Sequence, residues 1–216
     1  MRGIIFDLDG VLVDTEPLKF LAYVQVFKQR FTVDIIDDAS RIGKHEAAVM
    51  EFFLQRYGVH ANVAELIAAK RQQYHTIISG PTLKPIAGAE DFLAMLYRLG
   101  GLQLGLASLS DHESVNIILK RFTWQRYFTA VLSVESVQRP KPDPDIYLQA
   151  AQRMKLLPAH CLVIEDSPAG IAAAKSAGMR CIAIATGVPP DRLTSADVVV
   201  RNFSELTAEK IHTIIS

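Results

Sequence analysis

Two carboxylates stand two residues apart directly after the first apolar run of the chain. Asp7 and Asp9 follow residues 4–6, which are Ile, Ile and Phe, and Gly10 comes next. Ligands of open parallel sheets bind beyond the carboxyl ends of the strands, where a glycine lets the backbone turn close to a ligand. Crowded carboxylates repel one another unless a cation lies between them, so the pair indicates a hard divalent metal held by oxygen ligands. The same residues are also compatible with a β-turn or a calcium-binding loop.

Other segments carry the residue types that such a site still needs. Ser108, Lys141 and the pair Glu165 and Asp166 each follow a predicted strand. A hydroxyl, a cation and a second acidic pair can together bind phosphate and complete the ligands of Mg2+. Taken singly, Ser108 can begin a turn, Lys141 can be a solvated loop charge, and the acidic pair can cap a helix. Their occurrence together at strand ends predicts a phosphoryl-transfer site.

The second half of the chain alternates short apolar runs with helical periodicity. This is the pattern of β-α-β units that build a parallel sheet buried on both faces, so the predicted fold class is α/β. The predicted strands are residues 3–6, 103–107, 130–133, 161–164, 180–185 and 198–200. One helical stripe between them contains Tyr147, Ala150 and Met154, and Ser110 with Glu113 is able to close a capping box at the start of another helix.

Residues 14–80 show a different pattern, because β-rich runs are replaced by three successive helical stripes. These stripes are Phe20, Tyr23, Val24 and Phe27; Val49, Met50, Phe53, Leu54 and Tyr57; and Leu66, Lys70, Tyr74, Ile77 and Ile78. We therefore expect an all-helical domain, residues 14–80, inserted into a core of residues 1–13 and 81–216. Two connections join such domains, so a hinge is expected.

The composition excludes several classes of protein. Lys and Arg number 23 and Asp and Glu also number 23, so no basic surface is predicted for nucleic acid or an anionic membrane. The chain contains no apolar run of about 20 residues and no secretory signal, which predicts a cytoplasmic protein. The two cysteines are expected to be buried thiols, and the spacing of the six histidines argues against a zinc site.

These motifs together resemble those of the haloacid dehalogenase superfamily, and within it the beta-phosphoglucomutase-like phosphatases that carry a helical cap. The resemblance covers nearly the whole chain. Asp7-Leu8-Asp9-Gly10-Val11 is similar to the first motif of the family, Ser108 to the second, Lys141 in Lys-Pro-Asp-Pro to the third, and Glu165-Asp166-Ser167 with Gly170 to the fourth. The resemblance implies a Rossmann-like parallel sheet core with the helical domain as a cap over the site.

The resemblance also implies a mechanism for the first and fourth motifs. Asp7 is the implied nucleophile, which takes the phosphoryl group as an aspartyl-phosphate, and Asp9 is the implied general acid and base. The cofactor is Mg2+, held by the Asp7 carboxylate, the Asp9 backbone carbonyl and the Asp166 carboxylate. Glu165 is expected to lie behind these ligands, oriented toward a water molecule on the metal.

The second and third motifs are implied to bind phosphate. Lys141 is expected to bridge the nucleophile and the transferring oxygens, while Ser108 and the backbone N–H of Leu109 hold the remaining oxygens. Relatives often have Asn where this chain has Leu109, so a side-chain contact is lost at that position. The main expected effect of losing either Lys141 or Ser108 is a lower rate of turnover.

Specificity is expected to depend on the cap. Glu16 lies in the segment that resembles the start of the cap, and Arg41 and Lys44 lie in a loop that resembles a substrate-specificity loop. The positive charges of Arg41 and Lys44 can meet an anionic substrate tail or can simply be solvated. Lys19 occupies the position at which beta-phosphoglucomutases carry a histidine, which favours a phosphatase over a mutase.

The predicted function is hydrolysis of a small phosphorylated metabolite, with sugar phosphates as the leading class. A phosphosugar mutase uses the same core residues and stays open as the alternative, followed by a non-catalytic phosphate-binding regulator. A dehalogenase is disfavoured because that chemistry needs neither Asp9 nor Asp166. Neither the charge balance nor a heptad pattern indicates an oligomeric state.

Overall fold

The computed structural model describes residues 2–38 and 46–215. The chain divides into two compact units, a core unit made of Met1–Asp14 and Lys84–Ser216 and a helical unit made of Thr15–Leu83. The boundaries expected from sequence, at residues 14 and 80, lie one and three residues from those of the helical unit.

The core unit contains a six-stranded parallel sheet. Its strands are β1 (Arg2–Phe6), β2 (Leu102–Ala107), β3 (Phe128–Leu132), β4 (Cys161–Glu165), β5 (Arg180–Ile184) and β6 (Val198–Val200). They are arranged in the order β3-β2-β1-β4-β5-β6, and every neighbouring pair is parallel. The chain order reverses beside β1, so the carboxyl ends of β1, β2 and β4 meet at the switch point where ligands of such sheets bind.

Helices follow the strands as the periodicity predicts. The described residues contain eight α-helices. Those of the helical unit are α1 (Glu16–Phe31), α2 (Glu46–Tyr57) and α3 (Val63–Ser79). Those of the core unit are α4 (Ala89–Leu99), α5 (His112–Arg121), α6 (Asp145–Arg153), α7 (Pro168–Ser176) and α8 (Ala208–Ile215). Short 3-10 helices cover Trp124–Tyr127, Val134–Ser136, Pro158–His160, Pro190–Arg192 and Phe203–Glu205.

Strand β1 is buried on both faces of the sheet. Ile5 and Phe6 are completely buried, and consecutive side chains of a strand point to opposite faces. Ile5 belongs to a core cluster that includes Ala150 of α6 and Ile171 of α7. The Phe6 ring instead packs against the ring of Phe92 in α4, with 6.1 Å between centroids. Helices therefore cover both faces, which explains why β1 reads as a continuous apolar run.

The helical unit has its own apolar core. Its described residues form three helices, and Phe53 of α2 lies among the rings of Tyr23 and Phe27 of α1 at 5.7 and 5.9 Å. Lys70 of α3 is also buried, where its ammonium donates to Glu46 at 2.8 Å. An aromatic core of this kind can stabilise a short helical bundle without a sheet. Among residues 2–38 and 46–215, no helix combines the length and apolarity needed to cross a lipid bilayer.

Candidate active site

The loop after β1 carries Asp7, Asp9 and Gly10. The Asp7 N–H donates to the Ile164 carbonyl at 3.0 Å, which extends the pairing of β1 with β4 to the first site residue. Gly10 has a φ of +78°, and a Cβ atom there would lie 2.0 Å from Oδ2 of Asp166. Only glycine permits both this turn and the close approach of the second acidic segment.

Lys141 places a buried cation beside Asp7. Its side chain is 4% exposed, and Nζ donates to Asp7 Oδ1 at 2.6 Å, to Glu165 Oε1 at 2.7 Å and to the Ala107 carbonyl at 3.1 Å. Burial opposes the charge, but the Asp7 and Glu165 carboxylates raise the pKa of Lys141 above its ordinary value. The ammonium therefore stays charged and fixes one oxygen of Asp7.

The prediction that Lys141 stands at a strand end is wrong. Strand β3 ends at Leu132, and the 3-10 helix Val134–Ser136 and further loop residues come before Lys141. The peptide bond between Lys141 and Pro142 is cis. The ammonium reaches the strand ends because a lysine side chain carries its charge on a long flexible stem.

Glu165 is held entirely by protein donors. Oε1 accepts from Lys141 and from the Tyr147 hydroxyl, while Oε2 accepts from the Asp166 N–H and from the N–H and hydroxyl of Ser167. Burial opposes ionisation, but Lys141 and the hydrogen bonds outweigh it and lower the pKa of Glu165. The expected orientation toward a water on the metal differs from this arrangement, because both oxygens face protein. Glu165 instead holds Lys141 in place.

A crowded acidic cluster lies beside this ion pair. One carboxylate oxygen from each of Asp7, Glu165 and Asp166 lies within 4.8 Å of the others. Burial, with the Glu165 and Asp9 carboxylates, raises the pKa of Asp7 to about 7 despite Lys141. Burial and the neighbouring Glu165 and Asp7 carboxylates raise the pKa of Asp166 to about 8. A set of oxygen donors with unbalanced negative charge fits a hard divalent cation such as Mg2+.

Two serine hydroxyls meet on Asp9. Ser108 is buried directly after β2 and donates to Asp9 Oδ2 at 3.1 Å, and Ser110 donates to the same oxygen at 2.7 Å. The predicted capping box of Ser110 with Glu113 is wrong, because Asp111 is the capping residue of α5 and accepts from the N–H of the third helical residue. An aspartate at the cap takes the helix N–H, which leaves the Ser110 side chain to bind Asp9.

The remaining predicted residues are Leu109, Glu16, Arg41 and Lys44. Leu109 follows Ser108 and its residue surface is 39% exposed, so its side chain makes no part of the buried ion-pair network. Glu16 is the first residue of α1 in the helical unit, where its carboxylate accepts from Lys19 at 2.9 Å. Arg41 and Lys44 lie outside the described residues.

Comparison with known proteins now identifies the family. The family model described as haloacid dehalogenase-like hydrolase matches residues 4–184, which include every residue of the acidic cluster and Lys141. This chain belongs to that family.

Relatives within the haloacid dehalogenase-like hydrolases include both mutases and phosphatases. The chain is 34% identical to the beta-phosphoglucomutase of Bacillus subtilis, over 98% of this chain and 94% of that protein. It is 30% identical to a phosphorylated carbohydrates phosphatase of Thermotoga maritima, over 84% of each chain. The crystal structure of CbbY from Rhodobacter sphaeroides in complex with phosphate is 26% identical, with a TM-score of 0.80 over 95% of this chain and 96% of that chain.

The site contacts of three residues were not predicted from the sequence. Ser110 binds Asp9, and the Tyr147 hydroxyl donates to Glu165 at 2.7 Å while its ring lies 4.9 Å from the Lys141 ammonium. Thr186, just beyond β5, donates to the Gly10 carbonyl at 2.5 Å. Two signals were available: Thr186 lies near a strand end, and a buried tyrosine hydroxyl needs a partner.

Proposed function

We propose that this enzyme is a Mg2+-dependent phosphatase of small phosphorylated sugars that works through an aspartyl-phosphate on Asp7. The enzyme is a phosphoric monoester hydrolase. The observation that carries the mechanism is the fixed position of Asp7, where one carboxylate oxygen accepts from the buried Lys141 ammonium at 2.6 Å. One oxygen of Asp166 lies within 4.8 Å of one oxygen of Asp7, and Asp9 follows Asp7 by two residues. Both carboxyl groups are suited by their oxygens to metal binding or proton transfer.

In the first half-reaction an Asp7 oxygen attacks phosphorus. A new bond forms between Asp7 and phosphorus, and the bond between phosphorus and the ester oxygen breaks. Asp9, protonated at this stage, gives its proton to the departing alkoxide, so the products are the free alcohol and an aspartyl-phosphate. General acid catalysis of this kind contributes about 10²- to 10⁴-fold.

In the second half-reaction a water molecule attacks the same phosphorus. The Asp9 carboxylate accepts a proton from the water, the bond between Asp7 and phosphorus breaks, and inorganic phosphate leaves. Both carboxyl groups then return to their starting states. One residue can serve as acid and later as base because the first step leaves it deprotonated.

Lys141, Ser108 and the Leu109 N–H are proposed to bind the phosphoryl oxygens. The Lys141 ammonium already lies on Asp7, so it is placed to balance negative charge shared between the nucleophile and the phosphoryl group. Ser108 stands at the end of β2, beside the same loop. Donors that are fixed before the reaction stabilise charge without reorganising.

The Asp7 and Asp166 carboxylates and the Asp9 backbone carbonyl are proposed to hold Mg2+. The cation would neutralise charge between the carboxylates and an incoming phosphate. The raised pKa values of Asp7 and Asp166 support this assignment, because the two groups are crowded with negative charge in the protein alone.

The identity of the sugar phosphate is proposed to depend on Glu16, Arg41 and Lys44. Sugar phosphates are favoured because a relative at 30% identity is named a phosphorylated carbohydrates phosphatase. The beta-phosphoglucomutase at 34% identity favours a second candidate, return of the phosphoryl group to a sugar. Lys19, which pairs with Glu16, stands at the position where mutases carry a histidine, and we therefore place hydrolysis first.

Release of inorganic phosphate tests this function and its dependence on metal. We expect Mg2+-treated enzyme to release phosphate from several sugar phosphates, and chelation by EDTA to abolish release until excess Mg2+ is added. The loss is expected because Asp7 and Asp166 repel an anionic substrate without a cation. A matched preparation of the Asp7→Asn variant serves as the blank for contaminating phosphatases.

The same samples separate hydrolysis from mutase activity. Sugar-phosphate isomers are measured alongside inorganic phosphate. Interconversion faster than release would assign the mutase reaction, and release that is equal with EDTA or in the blank would contradict the proposed function.

A further inference from the structure

The Asp9 side chain is held by two hydroxyls on one oxygen. Ser110 Oγ donates to Asp9 Oδ2 at 2.7 Å, and Ser108 Oγ donates to the same atom at 3.1 Å. The shorter contact comes from Ser110, which is not one of the residues that match the motifs of the family. A protonated carboxyl group carries its hydrogen on one oxygen and still accepts on the other, so a hydroxyl that donates to Oδ2 can set the direction of Asp9.

The backbone of Ser110 is fixed on both sides. Its N–H donates to Ser108 Oγ at 2.9 Å, and its carbonyl accepts from the Val134 N–H at 3.1 Å. The next residue, Asp111, begins α5 as its capping residue. The backbone of Ser110 is therefore held by contacts that do not involve Asp9, as expected of a preorganised support.

The hydroxyls of Ser108 and Ser110 are expected to donate to different acceptors during the reaction. A serine hydroxyl has one hydrogen, so Ser108 is able to donate either to Asp9 or to a phosphate oxygen, but not to both. Ser108 stands at the end of β2 and is the proposed phosphate ligand, whereas Ser110 has no such assigned role. Once phosphate takes the hydrogen of Ser108, the Ser110 hydroxyl still donates to Asp9.

We propose that Ser110 is a positioning residue for Asp9, which keeps this carboxyl directed for proton transfer to the departing alcohol while Ser108 binds phosphate. This inference rests on the proposed phosphatase function. It assigns no covalent step to Ser110. The hydroxyl acts through Asp9, so its loss matters in proportion to how much a substrate needs a proton from Asp9.

Esters with different leaving groups separate this role from a general structural one. An alkyl alkoxide needs protonation as it leaves, whereas p-nitrophenolate is a stable anion and leaves without it. We expect Ser110→Ala to lower kcat/KM about 10- to 100-fold for the sugar phosphate that is hydrolysed fastest, and less than about 3-fold for p-nitrophenyl phosphate. The ratio kcat/KM covers substrate binding and ester cleavage but not hydrolysis of the aspartyl-phosphate, because release of the alcohol makes cleavage irreversible.

Three variants complete the experiment. Asp9→Asn should show the same dependence on leaving group with a larger loss, and Ser110→Thr, which keeps a hydroxyl, should restore most of the alkyl ester activity. Ser114→Ala is the matched control, because Ser114 is a buried serine of α5 whose hydroxyl donates to Asp111 and not to Asp9. Its two kcat/KM values should fall equally or not at all.

The outcomes are distinguishable. In one outcome Ser110→Ala lowers kcat/KM equally for the two substrates, or for neither, while Asp9→Asn shows the leaving-group dependence. That result overturns the positioning role and leaves the phosphatase mechanism standing. If Asp9→Asn also lacks that dependence, the acid role of Asp9 is overturned together with the role of Ser110. A wild-type protein that releases no phosphate from any ester overturns the proposed function and this inference with it.

Discussion

Replacing Asp7 with asparagine is expected to abolish turnover, lowering kcat by about 10⁴-fold or more. An amide is a poor nucleophile and cannot form the acyl phosphate, so only direct attack by water on the bound ester remains. Phosphate release under saturating substrate and Mg2+ measures the loss. Asp91→Asn, at an exposed position in the first turn of α4, is the matched substitution and should keep wild-type kcat.

The Asp7→Asn variant is expected to stay folded, so unfolding would not explain its loss of turnover. Burial and nearby carboxylates raise the pKa of Asp7 to about 7 from its ordinary value of 3.8. A carboxyl group with a raised pKa stabilises the fold at pH values below 3.8, and this contribution is lost as the pH rises through 7. We therefore expect metal-free Asp7→Asn protein at pH 8 to melt at a Tm no lower than that of the metal-free wild type. Residual turnover above about a tenth of wild type would contradict the nucleophile assignment.

Replacing Lys141 with methionine is expected to damage both catalysis and stability. The substitution keeps a long apolar stem but removes the cation from between Asp7 and Glu165, whose side chains are 10% and 1% exposed. Removing one partner of a buried ion pair costs about 3–5 kcal/mol, because the other charge stays buried. Loss of a preorganised donor to the transferring group lowers kcat about 10²- to 10³-fold. Denaturant unfolding and phosphate release measure the two effects separately.

Lys175→Met is the matched control for this loss of charge. Lys175 pairs with Asp197 at 2.6 Å, but the two side chains are 40% and 37% exposed. Exposed ion pairs contribute about 0–1 kcal/mol, so this variant should be nearly as stable as the wild type and fully active. Equal unfolding free energies for the two variants would show that the buried pair at Lys141 contributes no more than a surface pair.

Much of the sheet could be predicted because its strands are short apolar runs, of which the central β1 and β4 are almost wholly buried. The sequence predicted residues 198–200 as a strand, and β6 has those bounds. The third helical stripe predicted five apolar-facing positions, including Lys70, and these are the buried residues of α3. A lysine at helical spacing among apolar residues is informative, since it must find a partner such as Glu46.

The proximity of some site residues in the fold was also predictable from the sequence. Asp7, Ser108 and Asp166 follow strands whose carboxyl ends meet at one edge, which depends only on parallel pairing. The partners of Glu165 were not predictable, because they depend on how Tyr147 of α6 and the Lys141 loop pack in three dimensions. Ser110 was misassigned because a local capping pattern competes with a contact to a residue far away in the chain.

Reduction of the enzyme during turnover tests the aspartyl-phosphate most directly. Wild-type enzyme is mixed with Mg2+ and a sugar phosphate, sampled from the first turnover onward and treated with sodium borohydride, which reduces an acyl phosphate to an alcohol. The account predicts conversion of Asp7 to homoserine, detected by peptide mass spectrometry, only when substrate and Mg2+ are both present. Reduction at Asp9 or another carboxyl group, or full turnover with Asp7 unmodified at every time sampled, would contradict it.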